Sequence, residues 1–236
     1  MKKIGLILVA IFLALGGIVL TGNISKADIE DCPDFPPECL TCDNLQWKKD
    51  IFYMSINGCQ YRVVTCTLCP ISAAGGCPES CWGRLYIISR GKIDPTCEDG
   101  LTDGQIDDSI RAAFMDPDYM WRYKCGDFTP APCADHSSRI SISFPICNYK
   151  ELILDQNGDP ILVTHTCEDD PNWCTTVYVW CWMPDPPPNG SYVLVGVDGP
   201  FIYGEPTCPD IEPPDPVELY SPTECYIIHS DCYPEP

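Results

Sequence analysis

Cysteine is the residue type whose number and spacing could support the most chemistry in this chain. The stretch CQYRVVTCTLCPISAAGGCPESC holds five cysteines in 23 residues. Two CxxC pairs, Cys39–Cys42 and Cys66–Cys69, have the spacing of a zinc ribbon or a redox pair. A thioredoxin-like pair opens a helix in a βαβ pattern, and neither pair does so. The compartment therefore decides between zinc and structural disulfides.

The N terminus predicts that compartment. Two lysines precede the apolar run Ile4–Leu20, and Ser25 and Ala27 place small residues at the −3 and −1 positions of a cut before Asp28. This is the layout of a secretory signal peptide over residues 1–27. The alternative is an apolar run that stays as an N-terminal anchor. A secreted chain is extracellular, on the cell surface, or periplasmic in a bacterium, and each location favours disulfides over zinc.

All 18 cysteines remain after removal of the signal peptide, about 9% of 209 residues, and their number is even. That density predicts a disulfide scaffold. The candidates for structural disulfides are Cys32, Cys39, Cys42, Cys59, Cys66, Cys69, Cys77, Cys81, Cys97, Cys125, Cys133, Cys147, Cys167, Cys174, Cys181, Cys208, Cys225 and Cys232.

The strand-like spacing of two cysteine pairs limits which of these sulfurs can bond. Residues seven apart in a strand lie about 23 Å from each other and point to opposite faces. A disulfide needs Cα atoms about 4.4–6.8 Å apart. Cys59 therefore cannot bond Cys66, and Cys174 cannot bond Cys181, so their bridges reach other segments of the chain.

The charge of the chain excludes one class of partner. Residues 28–236 contain 11 Lys and Arg against 34 Asp and Glu, a net charge of −23. Such a surface repels nucleic acid and anionic lipid. No second apolar run is long enough to span a membrane after signal cleavage.

Turn signals and apolar runs predict the strands. Asn57-Gly58, Asn157-Gly158 and Asp198-Gly199 each lie between two apolar runs. Because these pairs accept the positive φ angles of tight turns, each predicts a β-hairpin. Further strands are predicted at Arg84–Ser89, Arg139–Ile146, Val177–Trp182 and Tyr226–Ser230.

One helix is predicted over residues 103–115. Thr102-x-x-Gln105 has the pattern of a capping box. Ile106, Ile110 and Phe114 then recur at helical spacing, and Asp116-Pro117 ends the helix. Its apolar face is expected to cover a sheet.

These elements predict a mainly β, disulfide-rich, antiparallel β-sandwich-like fold, as one or two small β domains with one short helix. Residues 28–116 form a Cys-rich β region with the covering helix. Residues 117–204 form a second β region, joined to the first or separate from it. Residues 205–236 form a Pro-rich tail whose cysteines tether it to the body.

Two stretches are candidate ligand sites. Tyr178, Trp180 and Trp182 share one face of a predicted strand, where they form either a buried core or an aromatic face that stacks on sugar rings. Asp155, Asn157 and Asp159 resemble the start of a calcium loop. Pro160 replaces the glycine of such a loop, which favours a hairpin turn. No other cofactor is expected.

No catalytic residue is assigned, since the chain lacks a nucleophile elbow, a Gly-rich phosphate loop and paired histidines. The leading hypothesis is a secreted, acidic, non-enzymatic protein that acts as an extracellular structural, adhesive or surface-appendage subunit. Its partners would be copies of itself or a cell-surface or glycan partner. The alternatives are a secreted glycan- or calcium-binding module and a carboxylate-dependent hydrolase, which needs two acids in a cleft.

Overall fold

The computed structural model describes residues 32–34, 39, 45–70, 83–116, 132–133, 138–167, 172–183 and 190–234. Strands take up 54% of these residues and helix 9%. The mainly β, disulfide-rich fold with one short helix that the sequence predicts is confirmed. The predicted signal peptide and four of the cysteines, Cys42, Cys77, Cys81 and Cys125, lie outside the described residues.

The described elements are nine strands and one helix. In chain order they are β1 (Leu45–Ile56), β2 (Cys59–Pro70), β3 (Arg84–Lys92), α1 (Asp103–Phe114), β4 (Ser138–Pro145), β5 (Cys147–Leu154), β6 (Pro160–Thr166), β7 (Trp173–Met183), β8 (Ser191–Tyr203) and β9 (Tyr226–Ile227).

All nine strands belong to one hydrogen-bonded sheet that branches at β3. One side of β3 pairs with β2 along its length. The first part of β3, Arg84–Tyr86, also pairs with β4, which is the single parallel pairing between the named strands, and the last part, Ser89–Lys92, pairs with β6. The sheet therefore has a six-strand path β1-β2-β3-β4-β7-β8 and a branch β6-β5-β9. The predicted regions 28–116 and 117–204 both contribute to it.

Helix α1 covers one face of the six-strand path. Ile110 and Phe114 are fully buried against inward side chains of five strands, and Phe52 meets Phe114 edge to face at 5.0 Å. The predicted capping box is present, since the Thr102 hydroxyl accepts from the Gln105 amide and the Thr102 amide donates to the Gln105 side chain. The helix begins and packs where the sequence predicts.

The opposite face of the sheet is also covered. Along β2 and β3 the side chains alternate, so Val63 and Leu85 face the helix while Val64 and Tyr86 face the other way. Tyr86 contacts the Trp47 and Trp173 rings edge to face. The two central strands are therefore buried on both faces.

Two of the three predicted turns are confirmed. Asn57 and Gly58 have φ angles of 46° and 89° and join β1 to β2. Asn157-Gly158 lies in the connection between β5 and β6, with Gly158 at φ 87°.

The hairpin predicted at Asp198-Gly199 is wrong, because both residues lie inside the continuous strand β8. Asp198 pairs with Val177 and Phe201 with Thr175, so the β8 side of the ladder holds one extra residue. Gly199, at φ 113°, accommodates this β-bulge.

Six disulfides between cysteines in the described part of the chain join segments distant in sequence, and Cys39 and Cys69 are also disulfide-bonded. The six have Cα–Cα distances of 4.8 to 6.2 Å, which are normal for the bond. The pairs are Cys32–Cys66, Cys59–Cys97, Cys133–Cys181, Cys147–Cys208, Cys167–Cys225 and Cys174–Cys232. As the strand geometry requires, Cys59 does not bond Cys66 and Cys174 does not bond Cys181. Three of the bridges join residues 208–232 to β5, β7 and the end of β6.

Candidate functional site

The sulfurs of the CxxC pairs are oxidised wherever the structure describes them. Cys39, Cys66 and Cys69 are disulfide-bonded. Zinc needs thiolates, which these sulfurs cannot supply. Across the described ranges, no group of three or more His, Cys, Asp or Glu side chains could hold a metal ion. The cysteines described here act as cross-links, which is typical of proteins in an oxidising compartment.

The calcium candidate at Asp155, Asn157 and Asp159 is a turn whose first carboxylate is already engaged. Asp155 Oδ1 accepts hydrogen bonds from the backbone amides of Asn157, at 2.8 Å, and Asp159, at 2.9 Å. The Asn157 side-chain amide donates to Asp155 Oδ2. These hydrogen bonds lower the pKa of the Asp155 carboxyl. The arrangement accounts for the turn connecting β5 and β6 without an ion.

The aromatic row of β7 is divided between the core and the surface. Tyr178 and Trp180 are buried against the helix-covered face, so their rings are not accessible for stacking on a sugar. Trp182 is half-buried and packs on Tyr192 of β8, with ring centroids 4.5 Å apart. The core interpretation therefore holds for the first two residues of the predicted aromatic face.

A group of buried charged residues lies where the two branches of the sheet meet the helix. This buried charge cluster consists of Arg90 from β3, Asp103 and Asp107 from α1, Lys150 from β5 and Tyr226 from β9. Arg90 and Asp107 are each only 4% exposed. The strand branching and the capped helix start bring these distant residues together.

Within the cluster, Asp103 is the shared acceptor. It receives a hydrogen bond from the Tyr226 hydroxyl at 2.7 Å, and it lies 3.1 Å from Lys150 Nζ and 3.4 Å from Arg90 Nη2. Burial alone would raise its pKa, but Arg90 and Lys150 lower the pKa of this carboxyl overall. Asp103 is therefore ionised in the folded protein.

Asp107 has the opposite behaviour although it contacts the same arginine. Its Oδ1 lies 2.7 Å from Arg90 Nε, whose N–H is not aligned for a hydrogen bond at that distance. Burial raises the pKa of Asp107 to about 7, because removal of water outweighs the attraction of Arg90 and because Asp103 and Asp108 add negative charge nearby. Two carboxyl groups one helical turn apart thus differ in their protonation near neutral pH.

The cluster also holds the C-terminal segment. Lys150 Nζ contacts Glu212 at 2.5 Å and Asp215 at 2.9 Å, and these acids lie in the chain between β8 and β9. These contacts and the three C-terminal disulfides fix the segment to the sheet.

The cavity beside the cluster is small. It is lined by Ser89, Arg90, Asp107, Asn148 and Thr164, and its volume for the centre of a water molecule is about 10 Å³, which is the lower limit for holding one water. The contacts of the cluster join α1 to β3, β5 and β9.

A smaller ionic contact anchors the chain just before the helix. Asp99 is 2.7 Å from Lys92 Nζ and accepts hydrogen bonds from the Tyr61 hydroxyl and the Leu101 amide. Burial opposes ionisation, but the hydrogen bonds from Lys92 and Tyr61 lower the pKa of Asp99 to about 2.

The most unusual surface is strand β8. It is 13 residues long, lies at the end of the six-strand path, and pairs only with β7 in the part of the chain that the structure describes. Its apolar side chains are exposed on both faces of the sheet. Leu194, at 40%, and Val197, at 54%, pair with Trp180 and Tyr178 and lie on the helix-covered face. Phe201, at 43%, pairs with Thr175 and lies on the other face. Ile202 and Tyr203 are also about half exposed.

β8 carries little of the charge that protects an edge strand from association. Natural edge strands are shortened, bent by bulges, or carry charges, especially lysine. β8 has two bulges, at Val195 and Gly199, and contains Pro200, but Asp198 is its one charged residue, whereas 20% of the whole chain is charged. Large exposed apolar patches are a common feature of interaction sites. We call this surface the open β8 edge, residues Ser191–Tyr203.

Charge is also distributed unevenly along the chain. All 14 Lys and Arg lie at or before Lys150, and residues 151–236 carry 16 Asp and Glu. These acids lie mostly outside the end strands, since β7 has no charged residue, β8 has only Asp198, and Glu212 and Asp215 contact Lys150 of β5. This asymmetry can be read from the sequence, whereas the exposure of β8 requires the strand order.

Comparison of the chain with models of known protein families, with curated proteins and with solved structures finds no match. Within the described ranges, no helix is both long and apolar enough to cross a membrane.

Proposed function

We propose that this protein is a secreted, non-enzymatic structural or adhesive subunit of an extracellular or cell-surface assembly, and that the open β8 edge is its association surface. The observation that carries the proposal is an apolar, 13-residue end strand that is exposed on both faces. A strand of this kind recruits another strand through its unpaired backbone groups.

The remaining features support the same role. The disulfides, which span 34 to 61 residues, stabilise the body against unfolding outside the cell. The buried charge cluster uses its polar groups to join elements, and its cavity is of the size of one water molecule. The signal-like N terminus supplies the route to an oxidising compartment.

Fractionation of cells that make the protein tests the proposal. The test compares the wild type with the double variant Val195→Lys/Val197→Lys, which places lysines on the open β8 edge. A matched control is Val217→Lys, a change at a valine that lies outside the strands and is 91% exposed. Wild type and control should be retained in the surface or extracellular assembly, and the double variant should be released as soluble protein.

Lysine at these exposed positions leaves no buried group unpaired, so the folded state is kept, which near-UV circular dichroism checks. Wild-type protein that is found entirely as a free monomer in the medium overturns the proposal. Equal retention of wild type and double variant overturns the assignment to β8.

A further inference from the structure

The outer edge of strand β5 is covered by the chain that follows β8. β9 pairs with the start of β5. Further along, the Tyr220 amide donates to the Leu152 carbonyl at 2.8 Å. The Thr223 amide donates to the Lys150 carbonyl at 2.8 Å, and the Lys150 amide donates back to the Thr223 hydroxyl at 2.9 Å. Residues 209–224, which we call the β5 cover, thus satisfy backbone groups that would otherwise form an open strand edge.

Two disulfides fix the ends of the β5 cover. Cys208, which directly precedes it, bonds Cys147 at the start of β5. Cys225, which directly follows it, bonds Cys167 just after β6. The chain beyond this second bridge belongs to the core, because Tyr226 is 1% exposed. Any movement of the cover is therefore that of a loop hinged at both ends, which stays beside β5 when it opens.

The side chains of the β5 cover all remain partly or fully exposed. Its apolar residues are among the most exposed in the protein, with Ile211 at 78% and Val217 at 91%. Residues 212–217 include three prolines and contain neither a turn nor a bend. Because proline fixes its own φ angle and restricts the residue before it, this stretch is extended. The closed position of the cover therefore gains little from apolar burial and depends on polar contacts.

The charged contacts of the β5 cover centre on Lys150. Its Nζ lies 2.5 Å from Glu212 and 2.9 Å from Asp215. The Lys150 side chain is 7% exposed, whereas the two acidic side chains are 54% and 61% exposed. Asp103 also lies 3.1 Å from Lys150 Nζ, so loss of the two acids would leave this buried ammonium paired. The cover can therefore leave its place without unfolding of the body.

We propose that the β5 cover is a hinged guard of the β5 edge, which opens while the rest of the fold stays intact and which its ion pairs with Lys150 hold closed. A stretch held by exposed polar contacts opens at a lower free energy than the core does. In the closed state β5 is shielded from other strands. In the open state the backbone groups of Lys150 and Leu152 form a free edge that accepts a strand. The inference goes beyond the proposed function and does not depend on the open β8 edge.

Amide hydrogen exchange of the full, disulfide-intact chain, followed residue by residue by NMR, tests the guard. The amides of Lys150, Tyr220 and Thr223 should exchange through one common opening, faster than the amides of β2 and β3. Glu212→Gln/Asp215→Asn should speed their exchange about tenfold, equal to about 1.4 kcal/mol, which is the size expected for two ion pairs with half-exposed acids. The amides of β2 and β3 should keep their wild-type rates.

Glu218→Gln/Glu224→Gln is the matched control. It removes the same charge from the same segment, at two exposed acids that form no ion pair within the described part of the chain. The contact between Asp210 and His229 stays in both double variants. The control should exchange like the wild type. Sodium chloride at about 1 M, where the Debye length is about 3 Å, should speed exchange of the cover in the wild type and the control.

Other outcomes overturn the proposal. If the Tyr220 and Thr223 amides exchange only together with those of β2 and β3, the cover does not open separately from the fold. If their rates differ widely from each other, single hydrogen bonds fray and the cover does not move as a unit. Equal exchange in the wild type and Glu212→Gln/Asp215→Asn, or an equal acceleration in the control, shows that Lys150 does not hold it closed. Slower exchange in salt shows that repulsion between acids outweighs these ion pairs.

Discussion

Replacement of Asp107 by asparagine should remove a specific part of the pH dependence of stability. The folded protein raises the pKa of this carboxyl from 3.8 to about 7. It therefore binds the Asp107 proton more tightly than the unfolded chain does. The free energy of unfolding should fall as pH rises from about 4 to about 7, and this contribution should be constant at higher pH.

The size of the effect follows from the shift in pKa. Each pKa unit corresponds to about 1.36 kcal/mol, so a shift of about three units gives a limit of about 4 kcal/mol across the window. Asp107 is 4% exposed, so solvent does little to screen its interactions. The groups that face it are Arg90 from β3 and Asp103, Asp108 and Arg111 from its own helix. Asparagine keeps the shape of the side chain and removes its titration.

Chemical denaturation followed by tryptophan fluorescence, under oxidising conditions from pH 4 to pH 8, measures this difference. We expect the wild type to lose stability relative to Asp107→Asn as pH rises, by an amount that approaches about 4 kcal/mol. Asp103→Asn is the matched control, because its carboxyl has a lowered pKa and contacts the same Arg90. For Asp103 the gain in stability is complete by about pH 4, because its folded pKa lies below the unfolded value, so from pH 4 to pH 8 the difference between the wild type and Asp103→Asn should be nearly constant.

Parallel stability curves for the wild type and Asp107→Asn would refute the reasoning. A wild type that gains stability over Asp107→Asn with rising pH would show that attraction to Arg90 outweighs burial, and that the pKa of Asp107 is lowered.

Three further predictions concern the helix, the C-terminal segment and the sulfurs. Gly104→Ala should lower the melting temperature, because the alanine Cβ would lie 1.6 Å from the His229 carbonyl oxygen. This clash should outweigh the advantage of about 1 kcal/mol that alanine has over glycine in a helix. A rise in melting temperature would contradict that contact. Lys150→Met should lower the free energy of unfolding by about 3 kcal/mol. It should also speed proteolysis near Glu212 and Asp215, which lose their 2.5 Å and 2.9 Å contacts with Lys150. If stability and cleavage stay as in the wild type, these ion pairs do not hold the segment. Full reduction should raise the intact mass by at least about 14 Da, two hydrogens for each of at least seven disulfides, since Cys39 and Cys69 are bonded in addition to the six pairs. The rise should be about 18 Da if all cysteines are paired, and a rise below about 14 Da would contradict the cross-links.

Local signals in the sequence predicted local structure well. The Thr102–Gln105 capping box and the helical spacing of Ile110 and Phe114 placed α1 within a residue or two of its observed ends. Asn57-Gly58 predicted the turn between β1 and β2. These features depend on residues that are close in sequence, so the physical cause is visible in the sequence itself.

The error at Asp198-Gly199 has a physical reason. A tight turn and a β-bulge both need a residue that accepts positive φ, and Gly199 supplies it in either case. The strands on each side continue in one direction because β7 is long enough to pair with both of them. The length of a partner strand cannot be read from the two residues of a turn.

The buried charge cluster and the disulfide pairing depend on contacts between distant residues. Arg90 and Asp107 look like ordinary surface charges in the sequence, and only the branching at β3 places them together. Strand geometry could exclude the Cys59–Cys66 bond, but the choice of Cys97 for Cys59 depends on how the chain returns after β3. The exposure of β8 likewise follows from the strand order, which no local pattern contains.

The positions of the C-terminal disulfides affect how the protein can be made. Cys147, Cys167 and Cys174 bond to cysteines that lie 58 to 61 residues further along the chain. A chain that enters an oxidising compartment from its N terminus exposes these three thiols before their partners arrive. Any bond that they form earlier must be exchanged through a mixed disulfide. We therefore expect correct pairing to require both completion of synthesis and an exchange catalyst such as a disulfide isomerase, and we expect mispaired chains to accumulate without one.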